Sequence, residues 1–227
     1  MRELTVAVRD ATALWALVSD TMPGAAARLL TNTDATIVNI HAALHETLAS
    51  ACEDDTVILT FSGHGTRSQR LLTYDTSRNN LDATTIGMDE LAAAFKACKA
   101  KAILCVIDCC FSGAAPARVL DDSPVSRDPG VPLEELAGAG RILISACHVN
   151  EVAYESPAHR HGLLTLSLIR ALQGGEEQSI DLVAAMAAVM QSVRAAAGQL
   201  GVTQTPVLLG HVEGALFYQG WFQASTS

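Results

Sequence analysis

Two apolar segments of this sequence end in residues that can do chemistry together. TVILTF (Thr56 to Phe61) runs into Ser62-Gly63-His64-Gly65, and AILCVID (Ala102 to Asp108) runs into Cys109-Cys110. A cysteine attacks as its thiolate, and a thiol of pKa ~8.5 is only a few per cent ionised at neutral pH. A neighbouring imidazole takes that proton or stabilises the thiolate, so a cysteine held beside His64 is equipped to attack a carbonyl carbon. Gly63 and Gly65 allow a tight turn and a close approach of substrate backbone. The backbone N–H groups of Gly65 and Cys110 can then form an oxyanion hole. The plainer readings are a turn histidine capping a loop and an inert pair of buried thiols.

For the two groups to meet, their segments must be neighbouring strands, since parallel strands lie ~4.8 Å apart. The rest of the chain supports that arrangement. Thr31-Asn32-Thr33-Asp34 offers caps for a helix over about 35–50, with Ile37, Ile40, Leu44 and Leu48 on one face. A polar stretch from Gly63 to Asn80 has room for a small hairpin around Leu71-Leu72. Asp89-Glu90 opens a second helix that runs to Cys98. RILISA (Arg141 to Ala146) is a third buried-strand segment. Helices are expected near 162–173, ending at Gly174-Gly175, and over about 179–198, with PVLLG and GALFY as closing strands. Strands alternating with helices specify an α/β fold with a mostly parallel sheet and helices on both faces. In such sheets reactive groups gather at the carboxyl ends of the strands. The stretch from Ser112 to Pro132, rich in Pro, Gly, Ser, Asp and Arg, is expected to be a long mobile loop.

The 227 residues suffice for one domain and are few for two. Hydrophobic residues make up 49% and aromatics only 4%, which suits a core of Ala, Val, Leu and Ile. A net charge of −9 argues against nucleic acid as the main partner and suits a basic peptide. No apolar run reaches the ~18–20 residues that span a bilayer, and MRELTVAVRD lacks a signal-peptide core, so the expected setting is cytoplasmic with no membrane partner. The cysteines, Cys52, Cys98, Cys105, Cys109, Cys110 and Cys147, lack both a disulfide-framework spacing and paired C-x-x-C knuckles, so no metal is expected. His41 and His45 are read as part of a solvated helix face, and His159 and His161 as loop residues before the last helices.

FSGHG followed 46 positions later by D-C-C-F-S-G resembles the paired His and Cys motifs of caspase-fold cysteine peptidases, the C14 family. The likeness is closer to metacaspases and bacterial caspase-like proteases, whose second motif reads D-x-C-x-S-G. That pattern implies Cys110 as nucleophile, Cys109 in the variable position and His64 as general base. Caspases proper would show Q-A-C-x-G, which Asp108 and Phe111-Ser112 do not fit. LTVAVRDA (Leu4 to Ala11) is similar to the family's early L-x-G-C-x-x-D-A segment. LLTNTDATIVNI is similar to its second strand and following helix, and ISACHVNEVAYE to its S-G-C-x-D-D-Q-x-x-x-D stretch. HGLLTLSLIRAL and QTPVLLG are similar to its closing helix and strand. The resemblance implies a caspase-like three-layer sandwich, one peptidase domain over 1–227.

It also implies an S1 pocket for Arg or Lys, lined by Asp108, Ser62 and Asp10, because carboxylates bind a basic side chain through charge-assisted hydrogen bonds. Arg118 and Arg127 in the long loop would then be self-cleavage sites. The expected partners are a protein or peptide substrate with a basic P1 residue and a regulatory or activating protein. The chain departs from the family at three places. The hydrophobic first strand is missing, so residues 2–8 serve as that strand, another chain supplies it, or the sequence starts late. Ala7 replaces the early Cys, and Phe111 replaces a His. The acidic cluster that binds activating calcium in many metacaspases is not recognisable between Arg67 and Asn80, so no cofactor is expected and calcium activation stays open. The competing function is a catalytically silent caspase-fold scaffold or binding module that needs a partner chain.

Overall fold

Ala102–Asp108 (β5) is buried along its whole length and pairs in parallel with Thr56–Ser62 (β1) on one side and Arg141–Ser145 (β7) on the other. The computed structural model describes residues 5–22, 24–111, 119–120, 139–148, 150–173, 180–210 and 217–218. Val207–Leu209 (β9) runs antiparallel to β7 and completes the order β1-β5-β7-β9. The two-residue period of a strand sends alternate side chains to opposite faces. Leu104, Val106, Ile142 and Ile144 pack on one face with Leu14 and Leu17 of Thr5–Thr21 (α1), Leu164 and Leu168 of Leu163–Gln173 (α5), and Met186 and Val189 of Leu182–Gln199 (α6). Ile103, Cys105, Ile107 and Leu143 pack on the other with Ile37 and Leu48 of Ile37–Ser50 (α2) and Leu91 and Phe95 of Met88–Ala97 (α4). The result is the expected three-layer α/β sandwich.

A second small sheet flanks the carboxyl end of β1. Its order is Thr85–Gly87 (β4), Arg70–Leu72 (β3), Gly65–Thr66 (β2) and Val119–Leu120 (β6), with the short helix Leu81–Thr84 (α3) before β4. The expected hairpin at Leu71-Leu72 is thus the middle of three antiparallel strands. Of the long loop expected over 112–132, Val119 and Leu120 form a strand parallel to Gly65–Thr66. The remainder of that loop, Arg118 and Arg127 included, lies outside the described residues. Ile180–Asp181 (β8) pairs antiparallel with Phe217–Tyr218 (β10), the strand expected in GALFY.

Two expectations near the N-terminus are corrected. Residues 5–8 do not belong to a strand, because Thr5–Thr21 is helical. Asp10, Leu14, Leu17 and Thr21 are its buried residues, and their spacings of four, three and four describe one helical face. Nor do residues 25–31 form the second strand expected in LLTNTDATIVNI; a single 3-10 turn, Asn32–Asp34, precedes α2. A strand exists only with a ladder partner, and among the described residues the outer edge of β1 carries none. That edge also explains why Thr56 and Thr60 of β1 are exposed while β5 is buried throughout.

Arg141, at the start of β7, fixes the join between this sheet and α4. Its guanidinium donates to the carbonyls of Phe95 (3.2 Å), Cys98 (2.8 Å), Ala100 (3.1 Å) and Gly140 (3.2 Å). Arg141→Met keeps the apolar stem and leaves those carbonyls without their donor, so a loss of about 2–4 kcal/mol is expected in denaturant unfolding. A loss under about 0.5 kcal/mol would show that water replaces the guanidinium at little cost.

Candidate active site

The β1–β5 ladder ends on the pair Ser62↔Asp108, and Gly63 N–H extends it with a bond to Asp108 O at 3.3 Å. His64 stands two residues beyond Ser62 and Cys110 two residues beyond Asp108. Two neighbouring parallel strands therefore end side by side just before the histidine and the cysteine. The two cysteines part at this point. Cys109 continues the row of Ile107 toward the face covered by α2 and α4, while Cys110 packs in the cluster of α1, α5 and α6. Asp108 and Cys110 are thus neighbours on one face, and Cys109 faces away. Gly65 is pressed against this corner: a Cβ on it would come to 2.9 Å from Cys110 O and 2.8 Å from the Phe111 ring. Only glycine fits there without moving the backbone of Cys110.

Behind the cysteine lies a buried pair of carboxylates. Asp108 is 1% and Asp10 0% exposed. Ser62 Oγ donates to Asp10 Oδ2 at 3.0 Å, so the structure brings together Ser62, Asp10 and Asp108, the three residues named from the sequence. The amino end of α5 holds the pair in place. Thr165 donates its N–H (3.1 Å) and its hydroxyl (2.8 Å) to Asp108 Oδ2, as a helix N-terminus does for an anion. Gly162 N–H bonds both oxygens of Asp10 at 3.3 and 3.2 Å, and a side chain on Gly162 would overlap the Asp108 carboxylate. His161 Nδ1 lies 2.7 Å from Asp10 Oδ1. Sequence reading missed His161, Gly162 and Thr165. The local signal was a His-Gly pair directly before a helix with Thr in its first turn.

Burial first, and then the charge of Asp108, pushes the Asp10 carboxyl up to about 6, against the hydrogen bonds from His161, Gly162 and Ser62. A carboxyl raised in the fold binds its proton more tightly folded than unfolded. Its stabilising contribution is therefore complete below 3.8 and is lost as pH rises through about 6. Asp10→Asn cannot ionise. It is expected to melt about 4 °C above the wild type at pH 8, and the gain is expected to vanish toward pH 4. A melting-temperature scan across that range checks it, and a gain independent of pH would contradict it.

The cysteine itself is covered. Cys110 is 0% exposed, Ala153 N–H reaches its Sγ at 2.9 Å, and the Cys110 thiol lies 3.6 Å from Ala153 O. The covering segment is pinned from the far end of the chain. Gln204 accepts from Tyr154 N–H and donates to Ala146 O, and Glu151 accepts from Thr205 N–H and its hydroxyl. The hydrogen bond to Cys110, then burial and neighbouring negative charge, pushes the Cys147 thiol up. Burial pushes Cys105 up to about 12, so both stay protonated as small core groups. His41 pairs with Glu90 at 2.6 Å on the surface between α2 and α4. Among the described residues, no three His, Cys, Asp or Glu side chains are grouped to hold a metal ion, and no helix is long and apolar enough to cross a membrane.

Residues 1–217 match the family model of the caspase domain, Peptidase C14. Among solved structures, protein GSU0716 from Geobacter sulfurreducens is similar at 18% identity and a TM-score of 0.63, over 92% of this chain and 86% of that one. Caspase-1 from Spodoptera frugiperda is similar at 15% identity and a TM-score of 0.60, over 95% of this chain and 82% of the other. The structure of pro-sf-caspase-1 is similar at 15% identity and a TM-score of 0.58, over 95% and 83%. No curated protein matches the sequence.

Proposed function

This chain belongs to the caspase-domain family of C14 peptidases, and from that premise we propose that it is a cysteine endopeptidase cleaving peptide bonds after Arg or Lys. The observation that carries the proposal is the Ser62↔Asp108 pairing, by which the two strands end together, each two residues before His64 and Cys110, with Cys110 on the face of α1, α5 and α6. In the proposed reaction His64 takes the Cys110 thiol proton and the thiolate attacks the scissile carbonyl. The backbone N–H groups of Gly65 and Cys110 receive the oxyanion, and His64 returns the proton to the leaving amine. Water then hydrolyses the thioester and frees the enzyme. Two buried carboxylates, Asp108 and Asp10, with Ser62 beside them, form the S1 floor, which favours a basic over an acidic P1 side chain.

The proposal extends to a single peptidase domain, closest to metacaspases, acting on proteins in a reducing cytoplasmic setting that keeps all six cysteines out of disulfides. It includes no metal cofactor, and regulation by a protein partner or by self-cleavage at Arg118 or Arg127. One observation favours a second reading, a silent caspase-fold scaffold: the Cys110 thiol is fully buried under Ala153. A P1-scanned peptide library, with wild type and Cys110→Ala and with and without calcium, separates the two. The proposal expects Arg and Lys at P1 and no turnover by the variant. Faster turnover of Asp-P1 than of Arg-P1 peptides, or no turnover of any peptide with or without calcium, would overturn it.

A further inference from the structure

His161 takes no part in the reaction proposed above, yet it is built into the carboxylate cluster. Its Nδ1 is 2.7 Å from Asp10 Oδ1, and its side chain is 17% exposed where Asp10 is fully buried. An ionised carboxylate only accepts hydrogen bonds, so this nitrogen carries the hydrogen and donates. His161 also lines a cavity of about 410 Å³ between α1 and α5, shared with Asp20, Leu17 and Gln173, whose lining does not include Asp10. Among the described residues, the remaining donors to Asp10 are Gly162 N–H and Ser62 Oγ.

We propose that His161 is a positioning residue that sets P1 specificity: its hydrogen bond keeps the Asp10 carboxylate ionised and aimed beside Asp108 for a basic substrate side chain. The proposal deepens the reading as a basic-P1 peptidase and rests on it. Among the described residues, the titratable groups that face Asp10 are Asp108 from the end of β5 and His161 from the segment before α5; the end of β1 contributes the Ser62 hydroxyl. Asp20, on α1 itself, lines the same cavity as His161. A carboxylate beside a second carboxylate, without solvent, holds its charge only while donors surround it. Two of the three donors to Asp10, Gly162 N–H and His161, come from adjacent residues, and His161 is the one a side-chain substitution removes. Asn in its place presents Nδ2 near where imidazole Nδ1 stands, and so restores the donor.

The test uses the full chain with Arg-P1 and Lys-P1 peptides across pH 5–9. His161→Ala is expected to raise KM about 10-fold, from loss of one hydrogen bond to a charged group. Its kcat is expected to stay within about twofold of wild type. The acid limb of kcat/KM is expected to move to higher pH, and His161→Asn to recover most of the affinity. A fall in KM for His161→Ala would make the imidazole a plug in the pocket and overturn the proposal. So would a loss in kcat alone, an unmoved acid limb, or an Asn variant no better than Ala. The melting temperature as a function of pH gives a second readout that needs no turnover. The pH range over which Asp10 changes stability must move upward in His161→Ala and return in His161→Asn. If the wild type cleaves no basic-P1 peptide but this movement is seen, the peptidase reading fails while the positioning of Asp10 stands. If the melting profiles coincide, the positioning itself is wrong.

Discussion

Cys110→Ala is expected to lower peptide cleavage by about ten-thousandfold or more, while Cys109→Ala keeps activity within about threefold of wild type. The two residues are adjacent and both fully buried, so the contrast does not come from exposure. It comes from the strand they continue. Beyond β5 the alternation places Cys109 with Ile107 and Phe111 on the face of α2 and α4, and Cys110 on the face that holds Asp108 and Asp10. Removing the Cys109 sulfur leaves a small void in a packed apolar cluster, a cost to stability of about 1 kcal/mol with no change in chemistry. Removing the Cys110 sulfur removes the atom proposed to form the thioester. The hydroxyl of Cys110→Ser would not rescue it, because an alcohol beside an imidazole is a far weaker nucleophile than a thiolate. Equal losses in the two alanine variants would place the chemistry elsewhere.

Asp108→Asn is expected to reduce kcat/KM for Arg-P1 and Lys-P1 peptides about 100-fold and to leave uncharged P1 peptides, however slow, nearly unchanged. A charge-assisted hydrogen bond in a desolvated pocket is worth about 2–3 kcal/mol. The fold should survive the substitution, since an Asn oxygen still accepts from Thr165 N–H and hydroxyl at the start of α5. Removing the charge also relieves its pressure on Asp10, which then ionises at lower pH. The acid limb that Asp10 imposes should shift downward, opposite to the shift expected when a donor to Asp10 is lost. Losses that were the same for every P1 residue would assign Asp108 to holding α5 and not to substrate recognition. Comparing melting temperatures of the Asn and Ala variants separates those roles, because Ala alone abandons the Thr165 contacts.

Much of this architecture could be read before any coordinates. Buried parallel strands are short apolar runs, and Thr56–Ser62, Ala102–Asp108 and Arg141–Ser145 are such runs. Their carboxyl ends mark the site, so His64 and the Cys109–Cys110 pair stood out from their position alone. The family resemblance then added Asp108, Ser62 and Asp10, and the structure gathers these three. What stayed hidden is long-range. His161 meets Asp10 across 151 residues of sequence, and no periodicity or spacing encodes that contact. The cover over Cys110 is equally non-local, since it depends on Gln204 and Thr205 bracing the segment from Glu151 to Tyr154. The N-terminal error has a different cause. Val6-Ala7-Val8 resembles the start of a strand, and the helical face of α1 emerges only when Asp10, Leu14, Leu17 and Thr21 are taken together.

The account turns on one sulfur atom, and one measurement addresses it. An Arg-chloromethyl ketone is incubated with the full chain, and the adduct is located by intact mass and peptide mapping. If the proposed S1 site at Asp108 and Asp10 takes the basic P1 group, the reagent is held at the thiol and one adduct on Cys110 is predicted. The adduct should be lost in Cys110→Ala, retained in Cys109→Ala, and slowed in Asp108→Asn. An adduct on Cys109 or the exposed Cys52, or equal labelling by an Asp-chloromethyl ketone, would contradict the account.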